Sequence, residues 1–203
     1  MPASPAAQGW TRAQRRLHWW SAALILAGFA LAWIMVAVPL TALLAKFLLY
    51  QAHKTIGLAV FALILWRLAL RARRGRPGWE DDLPPWQARA AAAGHAALYA
   101  LALAVPVLGY LTAATAPAQV PTLFLLVIPV PHLLPPDPAA YAVLRPVHRA
   151  AAILLVVLAL GHAAMAVAHH LRGRPTLRRM WRGGAGVATV LAVCYLAHAP
   201  LGG

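Results

Sequence analysis

Nine histidines are the residues of this 203-residue chain whose type and placement could do chemistry. Eight of them, His18, His53, His95, His148, His162, His169, His170 and His198, lie in or beside long apolar stretches, and His132 lies in a proline-rich connection. An ionisable side chain inside such a stretch is costly and usually functional, and neutral imidazole is a common metal ligand. A single histidine there more often hydrogen-bonds to a neighbouring helix. The spacing on one stretch argues for more. His148 and His162 are 14 residues apart, about 21 Å of helical rise, and fourteen steps of about 100° return to within about 40° of the same face. Two imidazoles on one face at two depths are expected to meet partners at the same depths.

The elements that must position them follow from composition. Hydrophobic residues make up 62% of the chain and charged residues 11%, and the mean hydropathy is +0.69. A soluble domain is roughly half apolar and about a quarter charged, so the chain reads as an integral membrane protein. Disorder is excluded by the same numbers. Four stretches, 17–38, 47–70, 90–114 and 143–171, meet the roughly 20 apolar residues a spanning helix needs. The expected fold is all-α, a membrane four-helix bundle in residues 1–182. Residues 183–203 form an apolar tail in which 185–199 is either a short fifth helix or a surface segment. The first apolar run is too long for a signal peptide, and no small-residue cleavage site follows it.

A net charge of +14 would suggest nucleic acid on a soluble protein, but here the basic residues sit in short runs between apolar stretches, so no nucleic-acid partner is expected. Fourteen of the eighteen flank one side: Arg12, Arg15 and Arg16, then Arg67, Arg71, Arg73, Arg74, Arg76 and Arg89, then Arg172, Arg174, Arg178, Arg179 and Arg182. The other side holds only Lys46, Lys54, Arg145 and Arg149. The positive-inside rule then puts the N-terminus in the cytoplasm of a multi-pass membrane protein. Glu80, Asp81 and Asp82 fall in a cytoplasmic loop, where they are solvated. The connection 116–141 carries seven prolines, which stop a helix, and reads as a loop at the outer interface.

Depth now pairs the histidines. His53 and His148 open inward-running spans from outside, whereas His18 and His162 lie near the inner face. Two pairs at two depths suit two bis-histidine b-type haems, because iron porphyrin leaves two axial positions and bundle cofactors are held from facing helices. Zinc is the rival, but it prefers a four-ligand cluster, and depth supplies only pairs. The sole cysteine, Cys194, leaves a disulfide and a cysteine-ligated cluster without partners in this sequence.

These residues carry a resemblance. Arg16-Leu17-His18-Trp19, Ala52-His53-Lys54-Thr55-Ile56-Gly57, Trp66-Arg67-Leu68, Gly94-His95, Pro106-Val107-Leu108-Gly109-Tyr110, His148, Gly161-His162-Ala163-Ala164 and Ala168-His169-His170 together resemble the bacterial cytochrome b561 family over about residues 10–182. The resemblance implies four helices, two haem b groups, and His18, His53, His148 and His162 as the axial ligands of their iron. It also implies electron transfer between a periplasmic donor and membrane quinone. In the superoxide oxidase branch superoxide is the donor and ubiquinone the acceptor, and the positions of His95 and His169 line the quinone site. Histidines near the cytoplasmic boundary suit quinone reduction, which takes up protons. The other reading of His169, with His170, is a polar end to the last helix. Two features depart from the family pattern: Arg149 stands where glutamate often follows the ligand, and the apolar tail is extra.

Three functions remain open on the sequence. The first is an oxidoreductase, a superoxide:quinone oxidoreductase, whose outer Lys46, Lys54, Arg145 and Arg149 would steer a small anion, although such residues also snorkel to headgroups. The second is a non-catalytic cytochrome b subunit that serves a redox protein partner. The third is a transporter or sensor using histidines for protons or metal. Trp19, Trp20, Trp79, Trp86 and Trp181 suit an interfacial aromatic belt. Gly57, Gly94, Gly109 and Gly161 are expected to permit close approach of a helix or a porphyrin.

Overall fold

Each of the four apolar stretches is a helix. The computed structural model describes residues 10–75, 84–174, 177, 180 and 181, with α1 at Arg12–Ala37, α2 at Leu43–Arg74, α3 at Pro85–Thr115 and α4 at Pro138–Leu171. All four are long and apolar enough to cross a membrane. The helices begin four or five residues before the apolar stretches, and polar side chains cap the first turns of α1 and α4. Thr11 accepts from the Gln14 amide at 3.2 Å while the Gln14 side chain accepts from the Thr11 amide at 3.0 Å, a reciprocal capping box. Asp137 accepts from the amides of Ala139 and Ala140, both at 3.0 Å. Pro85 and Pro138 each occupy a first helical turn, where proline removes no needed donor.

The helices run up and down. α1 packs on α2, α2 on α3 and α3 on α4, whereas α1 and α4 touch little. The buried centre is narrow: Val60, Ile64, Ala102 and Leu155, with Leu24, Ile25, Ile56, Leu98 and Tyr99 against them. Large apolar side chains such as Leu26, Trp33, Ile34, Leu65, Leu154 and Val157 point outward, as lipid-facing residues do, since lipid tails are as apolar as Leu. At the arginine end, the Gln14 amide donates to the Gly75 carbonyl at 3.4 Å. There the Trp19 indole donates to the Met180 carbonyl at 3.2 Å and its ring meets Trp181 edge-on at 4.7 Å. Two of the expected belt tryptophans therefore clasp the start of α1 to the segment after α4.

The opposite end holds the one element the composition did not suggest. The connection 116–141 contains an antiparallel hairpin, β1 at Thr122–Phe124 and β2 at Ile128–Val130, with Leu123 opposite Pro129. Its turn sets Leu125 and Leu126 at φ of 54° and 65°, a left-handed conformation that non-glycine residues seldom adopt. The hairpin is tied to α2. Fully buried Gln51 donates to the Pro121 carbonyl at 2.7 Å and accepts from the Leu123 amide at 2.9 Å. Thr55 accepts from the Leu125 amide at 3.1 Å. Its tip, Leu125–Ile128, is exposed and apolar, which suits the interfacial position expected of this loop. The tail 183–203 with its 185–199 segment, Glu80, Asp81, Asp82, Trp79, Arg76, Arg178, Arg179, Arg182, Cys194 and His198 lie outside the described residues.

Candidate functional site

The structure brings the four histidines together in the two pairs that depth proposes. Near the hairpin end the rings of His53 (α2) and His148 (α4) stand 6.3 Å apart between centroids, at 82°. Near the arginine end His18 (α1) and His162 (α4) stand 6.3 Å apart, at 68°. A metal atom bound linearly between two imidazole nitrogens, about 2.0 Å from each and with roughly 1.1 Å from nitrogen to ring centre, sets the centroids about 6 Å apart. Both pairs meet that spacing. Direct packing of two rings would allow a closer approach, as between His95 and His162, whose centroids are 5.2 Å apart.

Backbone groups orient the hairpin-end rings. His53 Nδ1–H donates to the Gly28 carbonyl at 3.0 Å, and His148 Nδ1–H donates to the Val105 carbonyl at 3.0 Å. That bond fixes the tautomer and leaves the Nε2 lone pair available to a metal. Two glycines make the arrangement possible. A Cβ on Gly28 would stand 3.1 Å from Ile56, so its absence lets α1 and α2 close up and bring the carbonyl to His53. A Cβ on Gly109 would stand 2.9 Å from His148 Cε1, so the imidazole lies in the groove this glycine leaves. Gly57, Gly94 and Gly161 differ: a Cβ there would meet nothing within 4 Å. Close helix approach is therefore not their role.

The arginine-end pair is set differently. His18 Nδ1 faces Arg67 Nη2 at 3.2 Å, and the Arg67 guanidinium lies 5.2 Å over the Tyr99 ring, with Arg71 5.7 Å from the same ring. His169 lies two turns beyond His162, half-buried in the last turn of α4 beside His170.

With two matched pairs in a four-helix membrane bundle, the comparisons decide the family. The model for prokaryotic cytochrome b561 matches residues 9–183. The chain belongs to the prokaryotic cytochrome b561 family. It is 32% identical to Cytochrome b561 homolog 2 of Escherichia coli K12 over 167 residues, 80% of this chain and 86% of that protein. It is 30% identical to Cytochrome b561 homolog 1 of the same organism over 134 residues, 66% and 74% respectively. This cytochrome b561 family member is thus a membrane protein that binds haem b and transfers electrons. Among the described residues no group of three or more His, Cys, Asp or Glu is arranged to hold a metal ion.

The basic residues at the hairpin end are held more firmly than a free steering set would be. Lys46 Nζ donates to the carbonyls of Val38 at 2.6 Å and Met35 at 3.3 Å, so it caps α1. Lys54 donates to the Val120 and Pro121 carbonyls at 3.0 and 3.2 Å. Arg149 lies 5.7 Å over the Trp33 ring, and Arg145 is exposed. Lys46, Lys54 and Arg149 thus sit in fixed positions. His132 joins them: its Nε2 is 3.0 Å from Thr122 Oγ1 and its ring is 6.3 Å from that of Tyr110. Partial burial first, then the Lys54 charge, hold the His132 imidazole below its usual range. Nothing in the residue pattern assigns a role to His132 or to the Gly28 and Val105 carbonyls. Arg67 stands in the sequence as part of a motif and as one of the cytoplasmic-side arginines, yet an arginine inside an apolar stretch is itself a signal.

Proposed function

We propose that this cytochrome holds two haem b groups, one between His53 and His148 and one between His18 and His162. The observation that carries the proposal is the ring spacing of 6.3 Å in both pairs, at opposite ends of one bundle. Bound haem supplies one-electron oxidation and reduction at each place. The arginine distribution puts the N-terminus and the arginine end in the cytoplasm, with the hairpin end in the periplasm of a bacterial inner membrane. His53 and His148 then lie beside Lys54, Arg149 and the hairpin, where a small anionic donor arrives.

The donor we propose is superoxide and the acceptor ubiquinone. Two superoxide anions lose one electron each and leave as two dioxygen molecules. One quinone takes those two electrons and two protons and leaves as quinol. His95 and His169 are the residues proposed to meet the quinone: both lie toward the arginine end, and imidazole can hydrogen-bond a quinone carbonyl and pass a proton. The spacing supports this division of roles, since His95 sits closer to His162 than a metal between the two would allow.

The test is a reduced-minus-oxidised visible spectrum with haem quantitation on the purified full chain. Wild type should hold two b haems. Either of His53→Ala and His148→Ala should remove one, and either of His18→Ala and His162→Ala the other. A haem count unchanged in His148→Ala refutes the pairing. Haem that superoxide fails to reduce in stopped-flow mixing favours the subunit that serves a redox protein.

A further inference from the structure

The bonds between the hairpin and α2 fix the direction in which the hairpin points. Gln51 accepts from the Leu123 amide at 2.9 Å, and Thr55 accepts from the Leu125 amide at 3.1 Å. From Gln51 to Thr55 the helix rises about 6 Å toward the arginine end. From Leu123 to Leu125 an extended strand advances about 6.6 Å. β1 therefore runs alongside α2 and in the same direction. Thr55 lies eight residues inside the apolar stretch that opens at Phe47, about 12 Å of helical rise. The turn that follows Leu125 reaches that depth.

Irregular backbone is tolerated at such depth only where protein satisfies its polar groups. The edge of β1 meets this condition through α2. Lys54 and Thr55 follow Gln51 by three and four residues, so the three share one face of that helix. Gln51 also donates to the Pro121 carbonyl at 2.7 Å, Thr55 donates to the Leu123 carbonyl at 3.5 Å, and Lys54 reaches the Val120 and Pro121 carbonyls. The other edge is handled by residue type. Leu123 stands opposite Pro129, and because the Leu123 amide turns toward α2, the Pro129 position turns away from it. Pro129 and Pro131 are alternate residues on that outer edge, and proline has no N–H to leave unpaired. The Pro131 carbonyl accepts from Tyr110 Oη of α3 at 2.9 Å. Within the turn, the Leu126 and Val127 amides donate back to the Leu123 and Phe124 carbonyls.

The side chains agree. Residues 116–136 contain no Asp, Glu, Lys or Arg, so the hairpin offers no charge to a charged soluble partner. Its exposed tip, Leu125–Ile128, is wholly apolar, and Val107, three residues before Tyr110, is exposed as well. Residues three apart lie on one helix face, so the tip continues a lipid-facing side of α3. Strands of three residues are far short of the roughly nine that a crossing needs, and the chain turns back.

We propose that the hairpin is a re-entrant element, wedged between α2 and α3, and that the partner of its tip is the acyl-chain region of the leaflet. This lies deeper than the loop at the outer interface that its prolines suggest. It also explains why Gln51 and Thr55 interrupt an apolar stretch: they complete the hydrogen bonding of an inserted strand edge. The proposal does not rest on the haem reading.

Fluorescence quenching tests it on the full-length protein in phosphatidylcholine vesicles. In a Cys194→Ser background, a bimane probe is attached at Val127→Cys or Ile128→Cys in the tip. Reference probes go at Ala118→Cys, exposed past the end of α3, and at Leu154→Cys, exposed on α4. Wild-type helical circular dichroism qualifies each variant as folded. Lipids brominated on their acyl chains should quench both tip probes as fully as the Leu154 probe, and aqueous iodide should quench the Ala118 probe alone. Iodide quenching of the tip without bromine quenching would overturn the proposal by placing the tip in water, within reach of a soluble protein. Equal quenching by both would overturn it by leaving the tip among headgroups. Quenching by neither would overturn it too, by assigning the tip to contact with a second copy of the chain.

Discussion

Gly109→Ala is the smallest change that should separate the two sites. The new Cβ would stand 2.9 Å from His148 Cε1, 3.4 Å from Nδ1 and 3.5 Å from Nε2. Restoring ordinary contact requires the ring to retreat by about 0.5 Å, because α3 backbone cannot yield as easily as a side chain. A metal–ligand distance tolerates about 0.2 Å. The retreat also stretches the 3.0 Å bond from His148 to the Val105 carbonyl, worth about 0.5–1.5 kcal/mol. Overpacking of one methyl typically costs about 1–3 kcal/mol, so haem affinity at the hairpin end should fall roughly 5- to 150-fold. The arginine-end pair lies elsewhere in the bundle and serves as the internal control. Haem titration of the apoprotein, followed by the visible spectrum, should show one site filled as in wild type and one weakened. Two sites with wild-type affinity would refute the packing argument.

Three other outcomes follow from the geometry. His95→Ala and His169→Ala should keep both haems while slowing quinone-dependent reoxidation of reduced haem in a rapid-mixing assay; loss of a haem from either would make that histidine a ligand. The double variant Lys54→Gln and Arg149→Gln keeps donors for the loop carbonyls while removing two charges. It should slow haem reduction by superoxide and flatten its decline with salt, since the Debye length falls to about 8 Å near 0.15 M; a rate indifferent to salt and to both substitutions would exclude steering. Because the folded state holds the His132 imidazole below its usual pKa, the unfolded loop binds the proton more readily. That contribution to stability is present above about pH 6.5 and is lost as pH falls through the depressed value. Amide exchange in the hairpin should therefore rise at acid pH in wild type and not in His132→Gln.

Much of this architecture was legible because a membrane imposes one long periodic element per crossing. The 14-residue interval from His148 to His162, with His53 and His18 at opposite ends of their spans, was enough to predict both pairs. What stayed hidden depends on contacts that spacing cannot encode. His95 is one residue past Gly94 in a chain of small side chains, and only the packing of α3 on α4 brings it to His162. Lys46 read as a surface charge because the two α1 carbonyls it caps come from residues 35 and 38. The hairpin escaped notice because its strands are three residues long and its turn uses leucines at positive φ rather than glycine. Arg67 was visible as an anomaly, but its neighbour His18 lies 49 residues away.

Gln51 also dictates an order of assembly. Its amide is fully buried and is satisfied by residues 121 and 123, some seventy positions later in the chain. When α2 first enters the bilayer those partners have not yet been synthesised, and an unsatisfied polar group in hydrocarbon is penalised by several kcal/mol. The helix therefore inserts on the strength of its apolar majority, holding a polar amide in suspense until α3 has crossed and the hairpin has folded back. A nascent chain stopped after Thr115 should expose this amide to water or to a neighbouring helix, and one stopped after Val130 should not. The hairpin is in this sense the closing piece of biogenesis, fitted only after three helices are in place.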